Sequence, residues 1–133
     1  MPNNKSNNKP RILIVEDNLT LLNLIKEKVK SEGWTALTAV DGDEAAKKIR
    51  TQNPDLILLD LLLPKRDGVS VLREMRSRKE TADIPVVVLT NLSDGETVEA
   101  VMAEGGTDFL VKTDYTLDDV MARVRQRLPI KKA

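Results

Sequence analysis

Hydrophobic and polar positions along the chain fall into a repeating pattern of short, uninterrupted apolar runs followed by longer stretches of helical period. Ile12 to Val15, Asp55 to Asp60 (DLILLD) and Ile84 to Leu89 (IPVVVL) are continuous apolar runs of strand length, the signature of strands buried on both faces. Trp34 to Ala39 mixes β-branched and apolar residues and reads as a second strand nearer an edge, and Asp108 to Val111 as a short fifth. Between them lie helices. Leu21, Leu22, Ile25 and Val29 follow an Asn18 cap at helical spacing, and Gly33 ends that helix. Asp41 with Glu44 reads as a capping box that opens a helix with Ala45, Ala46 and Ile49 inward. Pro54 separates it from the central strand.

After Asp60 a loop, Leu61 to Gly68, leads into a helix over Val69, Leu72 and Met75. Ser93 with Glu96 predicts another capping box, with Val98, Val101 and Met102 inward and Gly105-Gly106 as the stop. Thr116 with Asp119 caps a last helix whose stripe is Leu117, Val120, Val124 and Leu128. Five strands alternating with five helices imply right-handed crossovers and a parallel, doubly wound α/β sheet with helices on both faces.

In such a sheet, ligands bind beyond the carboxyl ends of the strands, where the strand order reverses. The residues at those ends are Glu16 and Asp17, Asp60, Thr90 and Lys112, distant in sequence and expected to converge. Asp60 is the centre of interest, because an ionised carboxylate closing a buried strand is costly unless something compensates it. At ~4 Å and an effective dielectric near 20, each like-charge pair costs about 4 kcal/mol, so three acids require a cation or proton shifts. Hard oxygen donors point to Mg²⁺, which also recruits phosphate oxygens. Lys112 adds a fixed charge and Thr90 a hydroxyl donor. A carboxylate so placed can attack phosphorus to give an acyl phosphate.

Composition narrows the alternatives. The 133 residues suit one domain, and the 41% apolar share is almost free of aromatics, with one Trp, one Tyr and one Phe. The core must therefore be aliphatic. Twenty-one basic residues balance 21 acidic ones, which argues against a nucleic-acid binder. The absence of Cys and His excludes disulfides, thiolate catalysis, a Ser-His-Asp triad, imidazole-ligated metal and a phosphohistidine on this chain. No apolar run reaches the ~18–20 residues of a membrane span and no signal-type segment precedes Arg11, so a cytoplasmic location is expected. Residues 1–10 are expected to form a disordered tail, 11–129 the domain, and 130–133 a short basic tail.

At these residues the chain resembles the receiver domain of bacterial two-component response regulators, single-domain chemotaxis regulators among them. The resemblance rests on Glu16-Asp17, Asp60, Pro64 with Asp67-Gly68, Thr90 and Lys112, in order and each at its strand end or loop. It implies a flavodoxin-like (βα)5 fold with strand order 2-1-3-4-5. It also implies that Asp60 is the phospho-acceptor, charged by a histidine kinase or phosphotransfer protein. Asp17, Asp60 and the Leu62 carbonyl would ligate Mg²⁺, with Glu16 acting through water. Lys112 would pair with the phosphoryl group, and Thr90 with Phe109 would form the switch. The implied output is contact with a downstream protein through the fourth helix, fifth strand and fifth helix, a face that is also the expected one for a homodimer. Neither direct nucleic-acid contact nor a membrane is implied.

The chain departs from the family pattern at Glu16, where Asp is commoner, at Thr113, where Pro usually follows the Lys, and at Asn91. Without proline a cis bond after Lys112 would cost ~2.5–4 kcal/mol, so a trans bond is expected. Asn91 and Leu62 would border the attacking water and set the phosphoryl lifetime. Three other functions compete with the phospho-switch. A pseudo-receiver would signal without phosphorylation. An Asp-nucleophile phosphatase of the haloacid-dehalogenase type lacks support because Leu62 stands where a second Asp is needed. A flavodoxin-like nucleotide binder is disfavoured because Glu16-Asp17 would repel a phosphate. The expectation is a signalling receiver rather than an enzyme.

Overall fold

A computed structural model of the chain describes residues 9–92 and 94–129. The element order is β1 (Arg11–Val15), α1 (Leu19–Ser31), β2 (Thr35–Ala39), α2 (Gly42–Thr51), β3 (Leu56–Leu59), α3 (Gly68–Arg76), β4 (Val86–Thr90), α4 (Gly95–Ala103), β5 (Asp108–Val111) and α5 (Leu117–Arg127). A 3₁₀ turn over Lys112–Asp114, absent from the sequence reading, joins β5 to α5. All strand pairs are parallel, in the order β2-β1-β3-β4-β5, as expected for the flavodoxin-like fold.

Alternation along the strands divides the core in two. Leu13, Val15, Ile57, Leu59, Val86 and Val88 face α2, α3 and α4 through Ala45, Ile49, Val71, Leu72, Met75 and Val101. Ile12, Ile14, Leu56, Leu58, Val87, Leu89 and Leu110 face α1 and α5 through Leu22, Ile25, Val29, Val120, Met121 and Val124. The period of two sends successive side chains to opposite faces, so a run apolar at every position serves both. Edge strand β2 is only partly buried except at Ala39, as its mixed sequence implies. Trp34 lies just before β2 rather than on it and packs against the α1/α5 side of the core.

The helix starts follow their caps, with differences. Asn18, Asp41, Asp67 and Thr116 each accept a backbone N–H three residues on. Among the described residues only Thr116 with Asp119 forms a full reciprocal box. The Glu44 carboxylate instead takes the Val40 N–H at 2.7 Å. Ser93 lies outside the described residues, and α4 is capped by Asp94, whose carboxylate accepts the Thr97 N–H at 2.9 Å and its hydroxyl at 2.7 Å. Helix α4 has a single buried side chain, Val101. Met102, expected inward, is 46% exposed because α4 rests on the sheet along a stripe one residue wide. In α3 Val71 is buried together with the expected Leu72 and Met75 while Val69 is only partly covered, and in α5 Met121 is buried while Leu117 and Leu128 are only partly covered. No peptide bond among the described residues is cis, including that between Lys112 and Thr113. Of the tails expected at 1–10 and 130–133, residues 1–8 and 130–133 lie outside the described residues.

Candidate functional site

The sheet order reverses between β1 and β3, which leave the centre in opposite directions, and the acidic residues lie at that switch point. Parallel register places them: Val15 pairs with Leu59, and Leu59 with Val88. Ladder bonds continue one step past the strands, the Glu16 N–H donating to the Ala39 carbonyl at 3.0 Å and the Asp60 N–H to the Val15 carbonyl at 3.1 Å. The two carboxylates are thereby fixed by backbone rather than by loop conformation. Glu16 is 3% exposed and Asp60 5%, whereas Asp17 is exposed. One carboxylate oxygen from each of Glu16, Asp17 and Asp60 lies within 4.8 Å of the others.

Lys112 enters from the end of β5 and bridges the two buried acids, its Nζ 2.7 Å from Glu16 Oε1 and 2.8 Å from Asp60 Oδ2. The other oxygen of Glu16 accepts the Asn18 N–H at 3.1 Å, and Asp60 Oδ1 accepts the Leu62 N–H at 3.3 Å. Burial is the strongest influence on Glu16 and pushes its pKa above the ordinary 4.5. The Lys112 and Asn18 hydrogen bonds oppose that shift without cancelling it, and the charge of Asp60 adds to it. Burial is also the largest single influence on Lys112 and lowers its pKa. The combined hydrogen bonds and charges of Asp60 and Glu16 outweigh it, so the ammonium is held above its ordinary 10.5. The cation is locked on.

Of the expected residues, Glu16, Asp17, Asp60, Lys112 and the backbone of Leu62 are brought together; the Leu62 side chain itself is 58% exposed. Thr90 ends the neighbouring strand fully buried, and its hydroxyl accepts the Leu92 N–H at 3.4 Å rather than bonding Asp60. Phe109 lies three positions before Lys112 on β5, half-buried on the α2/α3/α4 side of the sheet, away from the acids.

The sequence reading singled out Gly68 in the loop motif without its steric role, and it missed Gly42, Arg66 and Arg76 as supports of this site. Gly42 and Gly68 sit where a Cβ would fall 2.2 Å from the Arg66 carbonyl oxygen and 2.6 Å from that of Asp60, so only glycine allows the loop to close over the site. Arg66 and Arg76 are anchors of α3, the latter donating to the carbonyls of Ala82, Ile84 and Gly105. A groove of about 420 Å³ lies at the opposite end of the sheet, lined by Asn53, Pro54, Asp55 and Arg78 among others, and shares no residue with the acidic site.

A buried acid with a lysine at 2.8 Å, two further carboxylates within 4.8 Å and no nitrogen or sulfur ligand suits a hard divalent cation and a transferable anionic group. This architecture defines a signalling domain of the receiver type. The chain belongs to the response regulator receiver domain family, whose model matches residues 12–125.

Among characterised relatives, the phosphate regulon transcriptional regulatory protein PhoB of Rhizobium meliloti is 36% identical over 121 residues, 90% of this chain and 52% of that protein. The DNA-binding dual master transcriptional regulator RpaA of Synechocystis is 37% identical over 119 residues, 90% of this chain and 49% of that protein. The chain thus spans about half the length of these relatives. Among solved structures, the Francisella response regulator 1452 receiver domain aligns with TM-score 0.79 at 32% identity, covering 89% of this chain and 95% of that one. The BeF3-activated receiver domain of Klebsiella pneumoniae RstA aligns with TM-score 0.82 at 29% identity, covering 90% and 99%. Receiver domains are signalling modules, not a catalytic enzyme family. No described helix is long and apolar enough to cross a membrane.

Proposed function

We propose that the domain, residues 11–129, is a phosphorylation-controlled switch with Asp60 as the phospho-acceptor. The observation that carries this reading is the Lys112 ammonium 2.8 Å from a 5% exposed Asp60 whose other oxygen faces the Leu62 N–H. A carboxylate oxygen of Asp60 forms a bond to phosphorus as the phosphorus–nitrogen bond of a phosphohistidine on a histidine kinase or phosphotransfer protein breaks. The leaving imidazole keeps the electron pair and takes up a proton. Asp17, Asp60 and the Leu62 carbonyl would hold Mg²⁺, with Glu16 in support through water. When bound, that ion would neutralise charge on the phosphoryl oxygens.

Lys112 exchanges one carboxylate partner for a phosphoryl oxygen, so its charge stays compensated throughout. Thr90 turns its hydroxyl from the Leu92 N–H toward the phosphoryl group, and Phe109 changes burial with it. The readout surface is the face of α4, β5 and α5, taken by a downstream protein or by a second copy of the domain. With 21 basic and 21 acidic residues the chain has no charge excess to draw it to nucleic acid, and a cytoplasmic setting fits this role.

The test is intact mass after incubation with acetyl phosphate, with and without Mg²⁺, for wild type and Asp60→Asn. One Mg²⁺-dependent phosphoryl adduct, lost in the variant, is expected. A pseudo-receiver that signals without phosphorylation is the second reading, favoured by one observation: Glu16 already holds Lys112 at 2.7 Å. Failure of wild type to take up either acetyl phosphate or beryllofluoride would replace the first reading with the second.

A further inference from the structure

The loop that follows Asp60 is held in an unusual way. Its ends are closed by the Gly68 N–H donating to the Leu61 carbonyl at 2.9 Å. Its middle is pressed on α2, where the Gly42 N–H donates to the Pro64 carbonyl at 3.1 Å and Lys65 Nζ lies 3.7 Å from Asp41. At its tip Lys65 adopts φ 72°, the left-handed region a side chain ordinarily avoids. A non-glycine residue persists there only when the surroundings over-determine the conformation.

Arg66, the next residue, supplies that constraint. Its Nη1 lies 2.6 Å from Glu74 Oε1, and its Nη2 donates to the Ser70 carbonyl at 3.1 Å and hydroxyl at 3.0 Å. The guanidinium fork therefore grips α3 over one and two turns at once, a geometry lysine cannot reproduce. Glu74 is fixed in turn by Arg50 at 3.3 Å from α2 and Arg78 at 3.6 Å. The Arg66 hydrogen bond is the main reason its carboxyl stays below the ordinary range, so it remains an ionised anchor.

We propose that Arg66 and Glu74 are positioning residues for the cation site: their pair locks the Leu61–Gly68 loop so that the Leu62 backbone keeps its place beside Asp60. Neither residue touches the acidic cluster. They act through the three residues between Leu62 and Arg66, a span that has one strained link at Lys65 and would otherwise relax. The inference rests on reading Asp60 and Leu62 as cation ligands, and it adds a support to that reading which lies on a helix rather than at a strand end.

The test titrates Mg²⁺ alone into the ¹⁵N-labelled full chain and follows the Asp17, Leu61 and Leu62 amides, alongside thermal unfolding of each variant. Removing groups that orient ligands from behind typically weakens metal affinity ~10–100-fold; acting one step further out, Arg66→Met and Glu74→Gln are expected to weaken it about 3- to 10-fold. Arg66→Lys should recover only part of the loss, since the charge returns without the fork. Arg73→Gln breaks an α3 ion pair with Glu104, 3.1 Å long and outside the clamp, and should leave Mg²⁺ binding as in wild type. Wild-type affinity in Arg66→Met overturns the inference, as does an equal loss in Arg73→Gln, which would reduce the effect to general softening. A wild-type protein that gives no Mg²⁺ response overturns the cation-site reading itself, a result separable from the failure of the clamp alone.

Discussion

Replacing Lys112 with methionine keeps most of the side-chain volume and removes the one cation between two buried acids. Glu16 and Asp60 then face each other with oxygens no more than 4.8 Å apart. At that distance and an effective dielectric near 20, their repulsion is about 3–4 kcal/mol. Losing one partner of a buried ion pair typically costs ~3–5 kcal/mol, but proton uptake by the already raised Glu16 limits the loss. The expected destabilisation is about 2–4 kcal/mol above neutral pH, falling to about 1 kcal/mol in acid.

The sign follows from proton counts. A carboxyl whose folded pKa is raised binds more protons in the native state than in the unfolded one, so stability falls as pH rises through the folded value. The opposite partner acts elsewhere: Lys112 has a raised folded pKa, and its contribution is complete below its ordinary 10.5 and lost only at more alkaline pH. The assay is urea unfolding by circular dichroism at acid and mildly alkaline pH, in chelator and in Mg²⁺. A divalent cation should restore most of the alkaline loss, because it replaces the missing charge. Equal destabilisation at both pH values, unaffected by Mg²⁺, would refute the electrostatic account and leave only a packing defect.

Glu16→Gln removes the group whose raised pKa couples folding to pH, so the decline of stability above its ordinary 4.5 should flatten; an unchanged pH profile in chemical unfolding would contradict this. Gly42→Ala drives a methyl to within 2.2 Å of the Arg66 carbonyl oxygen and should cost about 1–3 kcal/mol, measured as a lower urea midpoint. Arg76→Met strips three carbonyls of their donor and should cost about 2–3 kcal/mol by the same measurement. Trp34 precedes β2, at the end of the sheet away from the acids, so Mg²⁺ or beryllofluoride should change its emission only slightly; strong quenching would mean the site reaches further than the geometry allows.

The sheet was legible because β3, Ile12–Val15 of β1 and Val86–Leu89 of β4 are apolar at every position, a pattern that only a strand covered on both sides requires. The acidic site was legible for a related reason: a polar residue that ends such a run has its position set by the ladder, so register alone carries Glu16 and Asp60 together. Caps were less certain. Ser93 and Asp94 are adjacent cap formers, and the sequence offers no means of ranking them. Met102 was misplaced because Val98, Val101 and Met102 satisfy a helical stripe wider than the one α4 presents to the sheet. Arg66, Glu74 and Arg76 left no trace in the pattern, because long polar side chains reach partners 4 to 29 residues away that follow no period. Lys65 was hidden as well, since its conformation comes from what holds the loop on either side.

Helices α3 and α4 lie side by side on the same face of the sheet and are fastened very differently. Three buried side chains besides Gly68, an arginine fork and the carbonyl grip of Arg76 hold α3, while α4 has one buried side chain, Val101, and an ion pair from its C-cap Glu104 to Arg73. Mechanically the domain is anisotropic. A disturbance at the acidic end meets a stiff wall through the loop into α3 and a compliant leaf through Thr90 into α4. Of these two helices, α4, with Met102 46% exposed, is the less constrained.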